Sequence, residues 1–354
     1  MTVGGDPNTN DLDSVRLELE AVEDSVLAPY ATRSAASLGR ETAEPESPVR
    51  TSFQRDRDRI IHSNSFRRLR AKTQVFIAPT GDHYATRLSH ALEVAQISRV
   101  IARALRLNED LAEAIALAHD LGHAPFGHAG QEALNRILGD GYRHDEQSVR
   151  VVRYLEKGGR GLNLTLEVLD GIRSHRKPRH NLAAYAVAPS STLEAEVVRL
   201  SDAVAYINHD VDDAERSGLI DQNDLPAEPI ETLGRSRSER INTVVCDIVA
   251  TSRDHPYVHM SEPCLMALNS LRDYLFDAVY RSPALLQESM RAQRLVENLF
   301  SYYVQEPDAM PEEFQNDPRN EGIERRVADY IAGMTDYYAI RLCEGLHVPG
   351  MGPA

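Results

Sequence analysis

HALEVAQISRVIARALRLNEDLAEAIALAHDLGHAPFGHAG, residues 90–130, is the stretch that decides the fold. In its first part His90, Val94, Ile97, Val100, Ile101 and Ala104 recur at steps of three and four, the stripe of an amphipathic helix over His90–Leu107. Asn108 has the side chain of an N-cap, and Glu109 and Asp110 follow where carboxylates meet the positive end of a helix dipole. The helix opened there sets Ala112, Ile115, Ala116 and His119 on one face, and Gly122 with Pro125 ends it. Two histidines, His90 and His119, thus fall on faces that turn inward. A buried polar group left unsatisfied costs about 1–3 kcal/mol, so both need partners.

The same periodicity continues along the chain. Ser191 and Glu194 read as a capping box for a long helix carrying Val198, Asp202, Ala205, Tyr206 and His209 on one stripe. Further helical patterns span Cys264–Tyr280, Leu285–Val304 and Glu321–Leu346, and Gln74–Ile77 is the one short extended candidate. No internal repeat is present. The pattern predicts an all-α protein, one large helical domain: a core over 49–220 with a C-terminal helical region, 221–346, packed on it. Residues 1–48, rich in Asp, Glu, Ser, Thr, Pro and Gly, read as a loose tail with a weak helical patch at Val15–Leu27, and 347–354 as a second short tail.

The 354 residues carry 54 acids against 39 bases, a net charge of -15. Such a chain has no global attraction for nucleic acid or anionic lipid, so a polyanionic ligand needs a local basic patch or a bound cation. The densest basic run, Arg50–Lys72, could serve as that patch or as a solvated face laced with ion pairs. No apolar stretch approaches the ~20 residues of a membrane-spanning helix. Met1–Asn10 lacks the pattern of a secretory signal, and three widely spaced cysteines (Cys246, Cys264, Cys343) offer no disulfide framework. A reducing cytosol is the expected location.

Five of the 13 histidines, His90, His119, His123, His128 and His144, lie within one window of 55 residues. Asp120 directly follows His119, and Asp202 sits on another inward stripe; buried carboxylates are rare unless paired or metal-bound. Two imidazoles and two carboxylates suit Mn²⁺, Fe²⁺, Mg²⁺ or Zn²⁺ without choosing between them. The adjacent pair His119–Asp120 can reach one ion only from between helices, because helical neighbours diverge by about 100°.

The order His90 … His119-Asp120 … Asp202 resembles the H…HD…D signature of HD-domain metal-dependent phosphohydrolases. The words FQRDRDRIIHSNSFRRLRAKTQVF (Phe53–Phe76), DHYATRLSHALEV (Asp82–Val94), HDLGHAPFGHAG (His119–Gly130) and LEAEVVRLSDAVAYINHDVDDAERSGL (Leu193–Leu219) resemble the deoxyguanosinetriphosphate triphosphohydrolase-like family. The resemblance runs from about Tyr30 to Ile340. It implies an HD-domain helical bundle holding one divalent metal ion (Mn, Mg or Fe), at which water attacks the α-phosphorus of a deoxynucleoside triphosphate and deoxynucleoside and inorganic triphosphate leave. It makes His90, His119, Asp120 and Asp202 the metal ligands and His128 the catalytic histidine. His123 and His144 become further active-site imidazoles, and Arg87 the phosphate-binding arginine. Tyr206 and Asp210 would recognise the deoxyribose, Asp210 through the 3′-hydroxyl and Tyr206 against C2′. Gln74 and Lys72 would line the nucleotide site, and Tyr280 is a candidate to stack on the base. Where the family has an acid three positions after its catalytic histidine, this chain has Gln131, with Glu132 next as a substitute. A homo-oligomer, tetramer or hexamer, and a nucleotide effector are further implications. Two other readings stand beside it: an HD phosphohydrolase of another nucleotide, and a nucleotide-binding regulator that has lost catalysis.

Overall fold

The computed structural model describes residues 9–76, 84–176, 182, 190–316 and 318–346. Among them there is no β-strand, only isolated bridges pairing Arg40 with Thr165 and Thr73 with Thr86. Of the expected extended piece, Ile77 lies outside the described residues and Gln74 follows the Thr73 bridge. No described helix is long and apolar enough to cross a membrane.

The helix Glu109–Ala118 is the axis of the fold. From Leu111 on it is apolar and buried (Leu111, Ala112, Ala114, Ile115, Ala116, Leu117 and Ala118) except at Glu113, which pairs with Arg57 and Arg99, as suits a helix largely enclosed by others. Asn108 caps it as expected, its side chain accepting from Leu111 N at 3.2 Å. Around it pack the helices Ser52–Ile61, Arg87–Leu105, Leu166–Ser174 and Leu193–Arg216. Leu166–Ser174 comes very close: a Cβ on Gly171 would lie 2.5 Å from Ile115 Cδ1, so only glycine fits there.

The long helix Leu193–Arg216 starts differently from its sequence pattern. Thr192 is the cap, accepting from Ala195 N, while Ser191 donates N–H and O–H to Asp170. Glu194, freed from the box, turns inward and accepts from Thr32 N, Thr32 Oγ1 and Asn108 N at 2.9–3.0 Å.

That contact also corrects the expected loose tail. Thr9–Val26 is a helix, and residues 27–48 lie fixed on the core. Arg40 pairs with the buried Asp56, whose other oxygen accepts from Thr165 N and Oγ1 at 2.7–2.8 Å, and Glu167 accepts from Ser37 Oγ and Leu38 N. Polar composition suggested a segment with nothing to bury; what holds it are the carboxylates of Glu167 and Glu194, more than a hundred residues away, together with the buried Asp56. Much of the basic run is likewise committed to protein: Arg57 to Asp110 and Glu113, Arg59 to Glu44 and the carbonyls of Leu162 and Asn163, Arg50 to Asp58, while Arg67 and Arg70 are exposed.

A first apolar cluster takes in side chains from Ala28 to Val279, so the part of the C-terminal region up to Val279 shares the core of the first half. A second joins the helices His128–Ile137, Pro283–Gln305, Ile323–Ala332 and Asp336–Gly345. The last two divide the pattern read as one helix over Glu321–Leu346, breaking at Gly333.

Candidate metal centre

Thr86 caps the helix Arg87–Leu105 by accepting from Ser89 N, and the register it sets buries Arg87 and His90. The helix Glu109–Ala118 stops one residue short of His119, so His119 is its C-cap and Asp120 begins a turn. Leaving the helix at this point lets two adjacent side chains face one space. Asp202 reaches it from Leu193–Arg216.

His90 Nε2 stands 3.2 Å from Asp202 Oδ1 and 3.9 Å from Asp120 Oδ2. His119 Nε2 is 3.5 Å from Asp120 Oδ1 and 4.0 Å from Asp202 Oδ1. His119 Nδ1 donates to Ala116 O at 2.7 Å, which leaves the lone pair on Nε2; that atom is buried and has no hydrogen-bond partner among the described residues. An orphaned imidazole nitrogen facing two carboxylates fits a divalent cation, whose N and O ligands lie at about 2.0–2.2 Å. Burial would raise the Asp120 pKa, but the His123 and His119 rings and the Arg87 guanidinium hold it well below the usual carboxylate range.

Arg87 Nη1 donates to Asp120 Oδ2 at 2.8 Å and Nη2 to Gln74 O at 3.5 Å, while the Gln74 side-chain oxygen is buried without a partner among the described residues. Asp82, the other candidate partner for Arg87, lies outside the described residues. His123 Nε2 is 3.2 Å from Asp120 Oδ1, and its ring stacks on His144 at 4.0 Å. His128 is exposed, its ring 5.7 Å from His123. Burial, with neighbouring charges, keeps His123 and His144 well below the ordinary imidazole pKa.

Three expectations change. Gln131 is not beside His128: its Oε1 accepts from both His144 N at 3.0 Å and His144 Nδ1 at 2.7 Å, because a turn into the helix His128–Ile137 it meets the start of the helix His144–Arg150. Glu132 points away, exposed and accepting from Gln293 on the helix Pro283–Gln305. Lys72 is buried with its Nζ donating to His123 O at 2.5 Å and Ala332 O at 2.7 Å, so it props the histidine turn from behind. Burial, its largest cause, brings the Lys72 pKa down to about 7.

Tyr206 and Asp210 lie one and two turns beyond Asp202, and Tyr280 meets them, its hydroxyl donating to Asp210 Oδ2. His209 connects the two parts of the site: its Nε2 is 3.1 Å from His90 Nδ1, and its Nδ1 lies 2.8 Å from Asp210 Oδ1, a charge contact outside the directional limits of a hydrogen bond. His175 was not foreseen. It caps the helix Leu166–Ser174 and donates from Nδ1 to Ile172 O, as His119 does to Ala116 O, and its ring lies 5.0 Å from His119. A histidine directly after a short amphipathic helix was the signal available. A separate cavity of about 360 Å³, lined by Arg68, Lys72, Leu121, Tyr330 and Tyr338 among others, lies apart from this constellation.

Residues 87–207 match the HD domain and residues 258–345 the phosphohydrolase-associated domain. Helical fold, matched domain and buried His/Asp group together define a metal-dependent phosphohydrolase of the HD class. Among curated relatives, the chain is 52% identical to a deoxyguanosinetriphosphate triphosphohydrolase-like protein of Caldanaerobacter subterraneus, covering 95% of this chain and 96% of that one. Similarly named proteins of Clostridium tetani (45% identical, 95% and 97% covered) and Clostridium perfringens (48%, 95% and 98%) match as fully. The chain belongs to the deoxyguanosinetriphosphate triphosphohydrolase-like family.

Proposed function

We propose that this chain hydrolyses deoxynucleoside triphosphates to deoxynucleoside and inorganic triphosphate, with His90, His119, Asp120 and Asp202 holding one divalent cation, Mn²⁺, Mg²⁺ or Fe²⁺. One observation carries the reading: the buried, unpartnered His119 Nε2 standing 3.5 Å and 4.0 Å from two carboxylates. When bound, such an ion polarises a phosphoryl oxygen and makes its water acidic.

The remaining work falls to side chains. Arg87 keeps Asp120 ionised and oriented, and its forked donors suit phosphate oxygens. His128, exposed beside His123, protonates the departing 5′-oxygen. Asp210 is buried with Oδ1 lacking a hydrogen-bond donor among the described residues. A sugar 3′-hydroxyl answers that need, and Tyr280, now bonded to the other oxygen, is its neighbour. Tyr206, one turn from Asp202, packs on C2′, where a ribose hydroxyl would clash. In the same reading the enzyme is a cytosolic homo-oligomer, tetramer or hexamer, responsive to a nucleotide effector.

Purified protein with Mn²⁺ is expected to turn over deoxynucleoside triphosphates and to leave ribonucleotides intact, and His119→Ala to abolish turnover. Equal hydrolysis of ribonucleotides would remove the sugar assignment. Nucleotide binding without turnover under any metal would make the chain a regulator.

A further inference from the structure

Lys72 is buried, and of the three donors on its ammonium two are placed, on His123 O at 2.5 Å and Ala332 O at 2.7 Å. The third has no acceptor, and the ammonium no ion-pair partner, among the described residues. Burial lowers its pKa most, and next the Arg68 guanidinium, ahead of Asp336, Arg87 and Asp120. Asp336 is occupied elsewhere, Oδ2 by Thr73 N and Oγ1 and Oδ1 by Phe126 N. Arg68 is also short of partners. Its Nε is buried with no hydrogen-bond acceptor among the described residues, and its Nη2 lies 4.0 Å from Glu156 Oε1. Glu156 is already held, accepting from Asn64 N at 3.2 Å and Ser65 N at 2.7 Å.

Both cations line the cavity of about 360 Å³. Two like charges with unused donors beside one space call for an anion between them, because buried charge is costly unless paired. Of the acids on the wall besides Glu156, Asp329 accepts from Gln147 Nε2 and from Arg150 Nε and Nη2 at 2.6–2.9 Å, and the exposed Glu313 is offset by the exposed Lys157. Arg68, Lys72 and Lys157 thus balance Glu156, Glu313 and Asp329, which leaves no surplus for a triphosphate but suits a single negative charge set against Arg68 and Lys72. Apolar and aromatic side chains complete the cavity, among them Leu121, Val151, Leu155, Phe314, Tyr330 and Met334. Its size is that of a small-molecule site, and a planar carboxylate matches the Nε–Nη edge of a guanidinium.

We propose that this cavity is a second ligand site, for a small aromatic carboxylate whose anionic group lies between Arg68 and Lys72. It is separate from the metal centre and touches it from behind. Lys72 holds His123 O, and Leu121 on the cavity wall stands between Asp120 and Gly122 in the histidine turn. A bound carboxylate therefore bears on the position of that turn.

The chain has no tryptophan, so the emission of an indole probe reads binding directly. Indole-3-acetate is expected to bind the full chain with millimolar affinity or tighter. Indole-3-acetamide, of the same shape without the charge, should bind about ten- to a hundredfold more weakly, the scale of one charge-assisted hydrogen bond. Arg68→Gln should weaken the acetate by a similar factor and leave the acetamide unchanged, with helical content preserved by circular dichroism. No binding of the acetate at millimolar concentration, equal affinity for acetate and acetamide, or full affinity in Arg68→Gln overturns the site. Should Arg68→Gln fail to fold, crystals of the unmodified chain soaked in 5-bromoindole-3-acetate decide: an anomalous bromine peak inside the cavity supports the site, and bromine elsewhere or nowhere overturns it. Neither measurement uses nucleotide or metal, so failure here leaves the proposed hydrolysis standing.

Discussion

Gly122 sits where the histidine turn presses on the helix His144–Arg150, and Gly122→Ala should damage both stability and catalysis. A Cβ there would lie 2.2 Å from Ser148 N, 2.4 Å from Gln147 C and 2.6 Å from His144 O. All three are backbone atoms, so no side chain can rotate away. Ordinary contact begins at 3.4 Å, which leaves the methyl about 1.2 Å short. The two segments must separate by roughly that distance. The separation strains two bonds, Gly122 N to Ser148 Oγ at 2.8 Å and Tyr142 OH to Gly122 O at 2.6 Å. Overpacking of this kind costs about 1–3 kcal/mol, and a weakened buried hydrogen bond about 1 kcal/mol. For a chain of 354 residues the melting temperature should fall by roughly 3–5 °C. His144 travels with its helix, and a misplacement near 1 Å can cost on the order of 10²-fold in rate. Thermal unfolding, with kcat measured well below the melting transition, reads both effects. A variant with wild-type melting temperature and kcat would refute the close packing of turn and helix.

Three further outcomes are expected. Gln131→Glu puts a carboxylate on His144 Nδ1, favours the imidazolium and raises its pKa, so the acidic limb of the pH–rate profile should move to higher pH; an unmoved limb contradicts the Gln131–His144 contact. Lys72 has a pKa of about 7 when folded against an ordinary 10.5, so between these values the unfolded chain binds the extra proton and its contribution to stability grows as pH rises. The stability of wild type relative to Lys72→Met, from urea midpoints, should therefore shift in favour of wild type by a few kcal/mol from pH 7 to pH 10; a constant difference contradicts the buried ammonium. Mn²⁺ at a hundredfold excess over its dissociation constant should stabilise the wild type by about 2.7 kcal/mol and His119→Ala far less, with equal stabilisation in a calorimeter counting against His119 as a ligand.

The features readable in the sequence were those written locally. The stripe through His90, Val94, Ile97 and Ile101, the Asn108 cap and the inward placing of His119 follow from spacing and stand in the structure, whereas Val100 and Ala104, read on the same stripe, face outward and are exposed. Where sequence and structure part, the deciding partner is remote. Glu194 had the spacing of a capping box, yet Thr32 and Asn108 offered it buried donors. Residues 27–48 had a polar composition, yet Glu167 and Glu194 tie down their backbone. Gln131 stands three positions after His128, but the helix of His144 reaches it first. His175 shows no local motif beyond its place at a helix end, and only tertiary packing brings it to 3.2 Å from His144.

The central claim concerns the bond that breaks. If water attacks the α-phosphorus and the 5′-oxygen leaves, hydrolysis in ¹⁸O-labelled water should release unlabelled deoxynucleoside together with inorganic triphosphate carrying the label. Mass spectrometry of the products reads this directly. Pyrophosphate with a deoxynucleoside monophosphate, or label in the nucleoside 5′-hydroxyl, would contradict the account.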